Sequence, residues 1–321
     1  MPFTGLPVPT AALGAAARRL DRLPRWQAGL LGGAAGAGAG AALLWDGSWM
    51  GYAGFGLALL LAGGLAWSGE PLPIEAGPAV AEEPPDPLWA DIPAGSFLMG
   101  GDGHPQRPVT VSAFRCQRTP VTRRLYREIL GSDPGWPEGE ADERPVNQVS
   151  WQDAVEFCNR WSQRDGLQLY YRIKGEKVLP IPEADGYRLL TEAEWEYACR
   201  AGTTTTWSFG DDEALLGKYA WFQANSNGVP HPVGQLQPNP WGLYDLHGNV
   251  WEWVWDWHGD YSIEAQTDPQ GPPESYFRVL RGGAFFNEPW LLRSADRSRV
   301  RPGYRGGDVG FRCARAPRRQ R

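Results

Sequence analysis

Residues Gly242–Trp257 read GLYDLHGNVWEWVWDW, with Trp251, Trp253, Trp255 and Trp257 at every second position. A period of two puts all four indoles on one face of a β-strand, whereas a helix would scatter them around its axis. Glu252, Val254 and Asp256 fall on the opposite face. The stretch predicts a central strand with an aromatic wall. Glu252 follows the turn His247-Gly248-Asn249. There it can either supply an oxygen to a hard cation or tie loops together through hydrogen bonds.

Outward from this strand, composition bounds the rest. A length of 321 residues suggests one or two domains. A formal net charge of −6 and only 4 histidines favour neither a nucleic-acid groove nor a His-rich metal centre. With 41 Gly, 29 Pro and 17 Trp, the chain suits long loops pinned by aromatic packing, not a helix bundle. Cys116, Cys158, Cys199 and Cys313 form no CxxC, which argues against a zinc knuckle. Cys158 and Cys199 sit among apolar helix positions and read as buried free thiols, with a disulfide left open.

Three helix starts are legible. Thr122 caps a short helix through Leu130, with Leu125, Tyr126 and Ile129 on one face. Ser150 with Asp153 opens a second, striped by Trp151, Val155, Cys158 and Trp161 and stopped at Gly166. Thr191 and Glu194 make a capping box for a third, with Trp195, Ala198 and Cys199 inward. Ile92–Met99 and Val109–Phe114 alternate as two strands. Beyond residue 202 the chain reads as loops and short strands. Few helices with short strands argue for α+β.

The N-terminus reads differently. Residues 1–25 are a basic lead containing Arg18, Arg19, Arg22 and Arg25. The stretches 26–44 and 49–67 carry no charge and are each about long enough to span hydrocarbon at ~1.5 Å per residue. They predict a two-helix transmembrane hairpin, or else one signal anchor followed by a buried or interfacial helix. The arginines keep the lead cytoplasmic, so two crossings make the protein a two-pass membrane protein with a cytoplasmic globular domain, and a single pass puts the domain outside. Residues 68–88 form a Pro/Glu-rich linker. The globular domain is expected over 89–316, with 317–321 as a tail.

Five ordered pieces carry a resemblance: GLYDLHGNVWEW, Ile92–Gly100 (IPAGSFLMG), Pro145–Trp151 (PVNQVSW), Tyr187–Arg200 (YRLLTEAEWEYACR), and Val279–Gly283 (VLRGG) with Val309–Cys313 (VGFRC). Together they resemble the formylglycine-generating-enzyme, or sulfatase-modifying-factor, family over roughly Asp91–Ala316. The resemblance implies a C-type-lectin-like fold with much irregular structure. It also implies structural calcium, with Asn225 and Ser226 at one site and Gly248, Val250 and Glu252 at the other. Oxidase members use a cysteine pair after the RGG motif that binds copper and attacks substrate as thiolate. Here Asn287 and Leu292 stand at those positions, so neither copper nor a catalytic residue is expected. Cys313 matches a structural position. His104, His231, His247 and His258 are scattered and do not match the iron site of the related sulfoxide synthases.

Residues 280–313 (LRGGAFFNEPWLLRSADRSRVRPGYRGGDVGFRC) separate into a frame and an interleaved set. The interleaved set is Phe285, Phe286, Asn287, Glu288, Trp290, Leu291, Asp296, Ser298, Val300, Arg301, Gly303, Tyr304, Gly306, Gly307 and Asp308. The frame resembles the C-terminal segment of variable proteins of diversity-generating retroelements, which use the same fold and rewrite template adenines. Most residues of the set are reachable from an AAC codon by changing only its adenines; Glu288 and Trp290 are not. Arg293, Arg297, Arg299 and Arg305 are suited to fixing carbonyls and carboxylates in forks. Phe286, Trp290, Leu291 and Tyr304 are rigid anchors of the kind binding surfaces use.

The expected function is therefore a non-enzymatic, membrane-anchored ligand-binding protein that displays a variable region, 284–308, to a protein ligand, with no nucleic-acid partner. The alternatives are a formylglycine-generating oxidoreductase or a catalytically dead relative, and a regulatory domain on a membrane complex.

Overall fold

The computed structural model describes residues 86–101, 103–136 and 142–318. The basic lead, the two apolar stretches 26–44 and 49–67, and nearly all of the linker lie outside these residues. Among the described residues no helix is long and apolar enough to cross a membrane.

All three helices begin at the capping residues. The first, α1 (Arg123–Leu130), has the Thr122 hydroxyl accepting from Leu125 N and ends at Gly131, with φ +72°. In α2 (Trp151–Arg164) and α3 (Glu192–Arg200) the full boxes close, Ser150 with Asp153 and Thr191 with Glu194. Each cap stabilises its helix by about 1 kcal/mol.

The strands are β1 (Trp89–Ile92), β2 (Gly95–Gly101), β3 (His104–Val111), β4 (Phe114–Gln117), β5 (Tyr171–Lys174), β6 (Lys177–Pro180), β7 (Arg188–Leu189), β8 (Trp251–Trp257), β9 (Gln266–Thr267), β10 (Arg278–Arg281), β11 (Arg297–Val300), β12 (Val309–Phe311) and β13 (Cys313–Arg315). They form two four-stranded sheets, β1-β4-β13-β7 and β11-β10-β8-β12, a three-stranded sheet β2-β3-β9, and the hairpin β5-β6. Among the described residues, short strands, three α-helices and long loops make this an α+β fold.

The two strands expected at Ile92–Met99 and Val109–Phe114 are four. Pro93, which has no N–H to give a ladder, lies in the break between β1 and β2. Asp268 captures Ser112 between β3 and β4, accepting from its N and Oγ at 2.7 Å each. At each break the chain leaves one sheet for another, and side-chain alternation alone does not show this.

The tryptophan strand β8 is central, antiparallel to β10 and parallel to β12. Both of its faces are covered. Trp251 and Trp253 enter a core cluster with Trp151, Phe157 and Trp161 of α2. Val254 enters a second cluster with Trp195 and Ala198 of α3 and Val279 of β10. Trp255 and Trp257 are only half-buried, and Trp151 packs against both, with ring centroids 5.3 and 6.5 Å away.

Candidate ligand-binding surface

The segment from Arg281 to Cys313 is anchored from below by arginines. Arg281 is fully buried; it donates to Ala295 O at 2.9 Å, to Asp296 O and to the Glu196 carboxylate. Burial opposes its charge, but Glu196, Tyr261 and Glu192 more than offset that and raise its pKa above the ordinary arginine value. Arg297 donates to Gly259 O and Glu192 Oε2, both at 2.8 Å, with its guanidinium 4.2 Å from the Tyr261 ring. Arg293 Nε donates to Trp290 O at 2.7 Å, and Arg305 pairs with Asp153 in the cap of α2. Arg305 is itself exposed, as is Arg299, which reaches His258 Nδ1 at 3.3 Å. The RGG turn needs its glycines. Gly282 (φ +99°) and Gly283 (φ +77°) are left-handed, and a Cβ on Gly283 would lie 2.8 Å from Leu292.

On this frame the interleaved residues sort by exposure. Phe286, Glu288, Trp290, Arg301, Gly303, Tyr304 and Gly307 are exposed. Three large aromatics stand out, Phe286 at 46%, Trp290 at 53% and Tyr304 at 45%. Phe285 packs edge-on against Phe286 at 5.2 Å, and Trp290 Nε1 donates to Glu288 Oε2 at 2.8 Å. Phe285, Leu291 and Val300 are partly buried against the main cluster, and Ser298 is half-buried in β11. Asp296 and Gly306 are buried and do not reach the surface. Half-buried Asp308 has its carboxyl pKa raised by burial, and its carbonyl accepts from Trp251 N at 2.8 Å. Phe285 N donates to Asn249 O, so both ends of 285–308 are tied to the entry of β8.

Positions 287 and 292 are both structural. Asn287 closes a turn on Ala284: its Oδ1 accepts from Ala284 N at 2.8 Å, and its own N donates to Ala284 O at 2.9 Å. Leu292 is fully buried in a small cluster with Trp207, Leu216 and Ala220. Neither side chain can become a thiolate or bind copper. Beneath Leu292 lies His247, whose Nδ1 donates to Leu292 O at 2.8 Å while its Nε2 accepts from Ser208. Burial holds this imidazole neutral, with its pKa lowered to about 4. Cys199 Sγ is 3.8 Å from Nε2, but burial pushes its pKa up to about 12.

The side chains among the expected calcium donors, those of Glu252, Asn225 and Ser226, are already engaged. Glu252 Oε2 accepts from Trp195 Nε1 and Arg312 Nε, both at 2.8 Å, and Oε1 accepts from Arg312 Nη2 at 2.6 Å. Its charge is matched by Arg312 inside the protein, which leaves the carbonyls of Gly248 and Val250 without a free carboxylate to complete a cation site. Asn225 Oδ1 accepts from Phe222 N, and Ser226 Oγ donates to Phe285 O at 2.6 Å, which ties that turn to the start of 285–308. His231 Nε2 donates to the Ser226 carbonyl at 2.7 Å and takes up that oxygen. Among the described residues no group of three or more His, Cys, Asp or Glu is arranged around a metal position.

Two features escaped the sequence. Arg278 lies between Trp151 and Trp257, its guanidinium 3.6 and 3.5 Å from the two ring centroids. The strand register makes this contact, since Arg278 pairs with Trp257 across β10 and β8. The other is Tyr276, 86% exposed in a loop with no periodicity to announce it.

The family profile of the sulfatase-modifying factor enzyme 1-like domain matches residues 78–317. The chain is 30% identical over 257 residues to the chaperone protein LppX of Paenibacillus barcinonensis, covering 70% of this chain and 88% of that protein. It is 34% identical over 302 residues to the formylglycine-generating enzyme of Streptomyces coelicolor, covering 70% and 87%. Among solved structures it is similar to Treponema denticola variable protein 1, with 33% identity, a TM-score of 0.67, and coverage of 71% of this chain and 95% of that one. Some relatives are much longer: the chain spans 39% of the serine/threonine-protein kinase pkn1 of Chlamydia caviae.

Proposed function

The chain belongs to the sulfatase-modifying factor enzyme 1-like family, and from that premise we propose that it is a non-enzymatic, membrane-anchored binding protein. It serves as the variable protein of a diversity-generating retroelement, displaying exposed residues of 285–308 to a protein ligand. The observation that carries this reading is the sorting of the segment. Arg281 and Arg297, whose side chains are covered, hold the frame, while Phe286, Trp290, Arg301 and Tyr304 stand out from it. Similarity to a solved variable protein supports it. The side chains at 287 and 292 support a binding role, since one closes a turn and the other fills a core. Anchoring rests on the apolar stretches 26–44 and 49–67, and two crossings leave the domain cytoplasmic.

The test is the DNA downstream of the gene. A near-copy of the codons for 280–313, differing only at adenines and lying beside a reverse transcriptase, is the expected finding. Its absence returns the chain to the second reading, a formylglycine-generating oxidoreductase or a catalytically dead relative, which similarity to the Streptomyces enzyme favours. That reading has its own assay. Copper-dependent oxidation of a cysteine-containing sulfatase peptide by the full chain would establish it, and no turnover is expected.

A further inference from the structure

A cavity of about 270 Å³ lies between residues 259–272 and the side chains of Arg107 (β3), Glu192 (α3), Asp256 (β8) and Arg297 (β11). It is smaller than the roughly 300–1,000 Å³ of sites that take drug-sized molecules. Tyr261 completes its inner wall. These five side chains are covered, while Asp260 stands on the exposed rim. None of the lining residues belongs to the interleaved set of 285–308.

The buried charges in this cavity do not all find partners. Glu192 does: Oε1 accepts from Tyr261 Oη at 2.9 Å and Oε2 from Arg297 Nη2 at 2.8 Å. Arg107 does not. It is 7% exposed and forms no ion pair among the described residues. Its Nη1 donates to Gln266 Oε1 at 2.9 Å and its Nη2 to the Met99 sulfur at 3.5 Å, both neutral, and its Nε has no acceptor. The Tyr261 ring, 4.2 Å from the guanidinium, offers a π face but no full charge. A buried charge without a counter-charge is costly. Asp256, 3% exposed, is the complementary case. Its Oδ2 accepts from Glu192 N at 2.7 Å, and its Oδ1 has no hydrogen-bond partner among the described residues. The charged groups that act on it are Glu192 and Glu194 of α3 and Arg278 of β10, none in an ion pair with it. Burial and the two glutamates prevail and raise its pKa to about 8. Arg107 and Asp256 line one cavity and form no ion pair with each other.

We infer that this cavity binds a small zwitterion, an α-amino acid, with its carboxylate on Arg107 and its ammonium on Asp256. One buried guanidinium and one buried carboxyl, held apart across a single small cavity, are both satisfied by one molecule that carries the two opposite charges. A plain anion would meet Asp256 and Asp260, and a plain cation would meet Arg107 and Arg297. The site stands whether or not 285–308 is a display surface, because it uses no interleaved residue. Asp256 holds its proton near neutrality, so an entering ammonium should displace that proton into solvent.

The experiment screens the full chain against the standard L-amino acids by thermal unfolding, at ~10 mM each, and at least one should raise the melting temperature. The amino acid with the largest effect is then titrated by calorimetry beside its desamino acid, which lacks the ammonium, and its decarboxylated amine, which lacks the carboxylate. Both analogues are smaller than the amino acid, so size cannot exclude them. Each should bind weaker by about thirtyfold or more, the cost of leaving one buried charge unmatched. These comparisons use the unaltered protein and do not depend on a variant folding. Arg107→Gln and Asp256→Asn should each weaken binding to a similar extent. Calorimetry near pH 7 in buffers of different ionisation heat should show proton release on binding, and none in Asp256→Asn. No melting shift from any amino acid would leave water to bridge the two charges and would overturn the proposal. Equal binding of either analogue, unchanged binding in either variant, or no proton release from the unaltered protein would overturn it as well.

Discussion

Arg312 and Glu252 form a bidentate ion pair in the centre of the domain, with side chains 0% and 1% exposed. The arginine comes from the link between β12 and β13 and the glutamate from β8, so the pair fixes the C-terminal strands against the tryptophan strand. The same guanidinium donates to Tyr244 O at 2.8 Å and to Gln117 O at 3.2 Å. Removing one partner of such a pair leaves an uncompensated buried charge and costs about 3–5 kcal/mol. Glu252→Gln should lower unfolding stability by that amount in urea titrations. A loss under about 1 kcal/mol would mean that the pair is not what holds these strands.

Chelation gives an independent reading of the same residue. A cation bound only to the folded state would stabilise it by mass action. Because the oxygens of Glu252 are held by Arg312 and Trp195, excess EDTA should leave the melting temperature of the full chain unchanged. A fall on chelation, restored by calcium, would show that Arg312 gives up the carboxylate in solution.

The proposed binding role separates exposed from buried positions of 285–308. Trp290→Ala and Tyr304→Ala remove side chains that are about half exposed and should change stability by under ~0.5 kcal/mol. Ligand binding should nevertheless fall by about 2 kcal/mol or more at each, the cost typical of aromatic hot spots. Leu292→Ala empties a fully buried position and should cost about 2–5 kcal/mol without touching the surface. Reversed magnitudes in thermal unfolding would show that 290 and 304 are core positions.

Much of this was legible because it is local. The caps at Thr122, Ser150 and Thr191 depend on residues three apart, and the sheet face of Trp251–Trp257 depends on a period of two. What was illegible depends on distant partners. Glu252 reads equally well as a ligand or a tie until Arg312, sixty residues away, is brought onto it. Asp296 and Gly306 sit in an alternating set that looks uniformly displayed, but they turn inward. The paths of β1 to β4 could not be read because alternation continues straight through the points where the chain changes sheet.

Asp256 makes a pH signature. It is fully buried beside Glu192, and burial with that neighbouring charge raises its pKa from 3.8 to about 8. The folded state therefore holds a proton that the unfolded chain releases near pH 3.8, so stability falls as pH rises between those values. His247 and His258, both lowered from 6.5 to about 4, act in the opposite direction over that lower range. Above pH 6.5 the histidines no longer contribute and the Asp256 effect stands clear of theirs. Stability should decline from pH 6.5 to 8, and Asp256→Asn, which can still accept from Glu192 N, should flatten that decline. An unchanged slope in the variant would assign the proton elsewhere.

The cysteines can test the proposed membrane arrangement. Cys158 of α2 and Cys313 of β13 have their sulfurs 3.7 Å apart, and both are completely buried. Burial raises the Cys313 pKa well above the ordinary thiol value and pushes Cys116 and Cys199 to about 12, so none of these three is a ready thiolate in the folded protein. In a reducing cytoplasm the neighbouring pair stays as two thiols, while folding in an oxidising compartment gives it the proximity to close. Membranes quenched with an alkylating agent under denaturing conditions, followed by mass measurement of the intact chain, separate the two cases. The two-pass arrangement predicts four alkylated cysteines. Two alkylated cysteines, with peptides 158 and 313 linked, would put the domain outside and reduce the membrane hairpin to a single crossing.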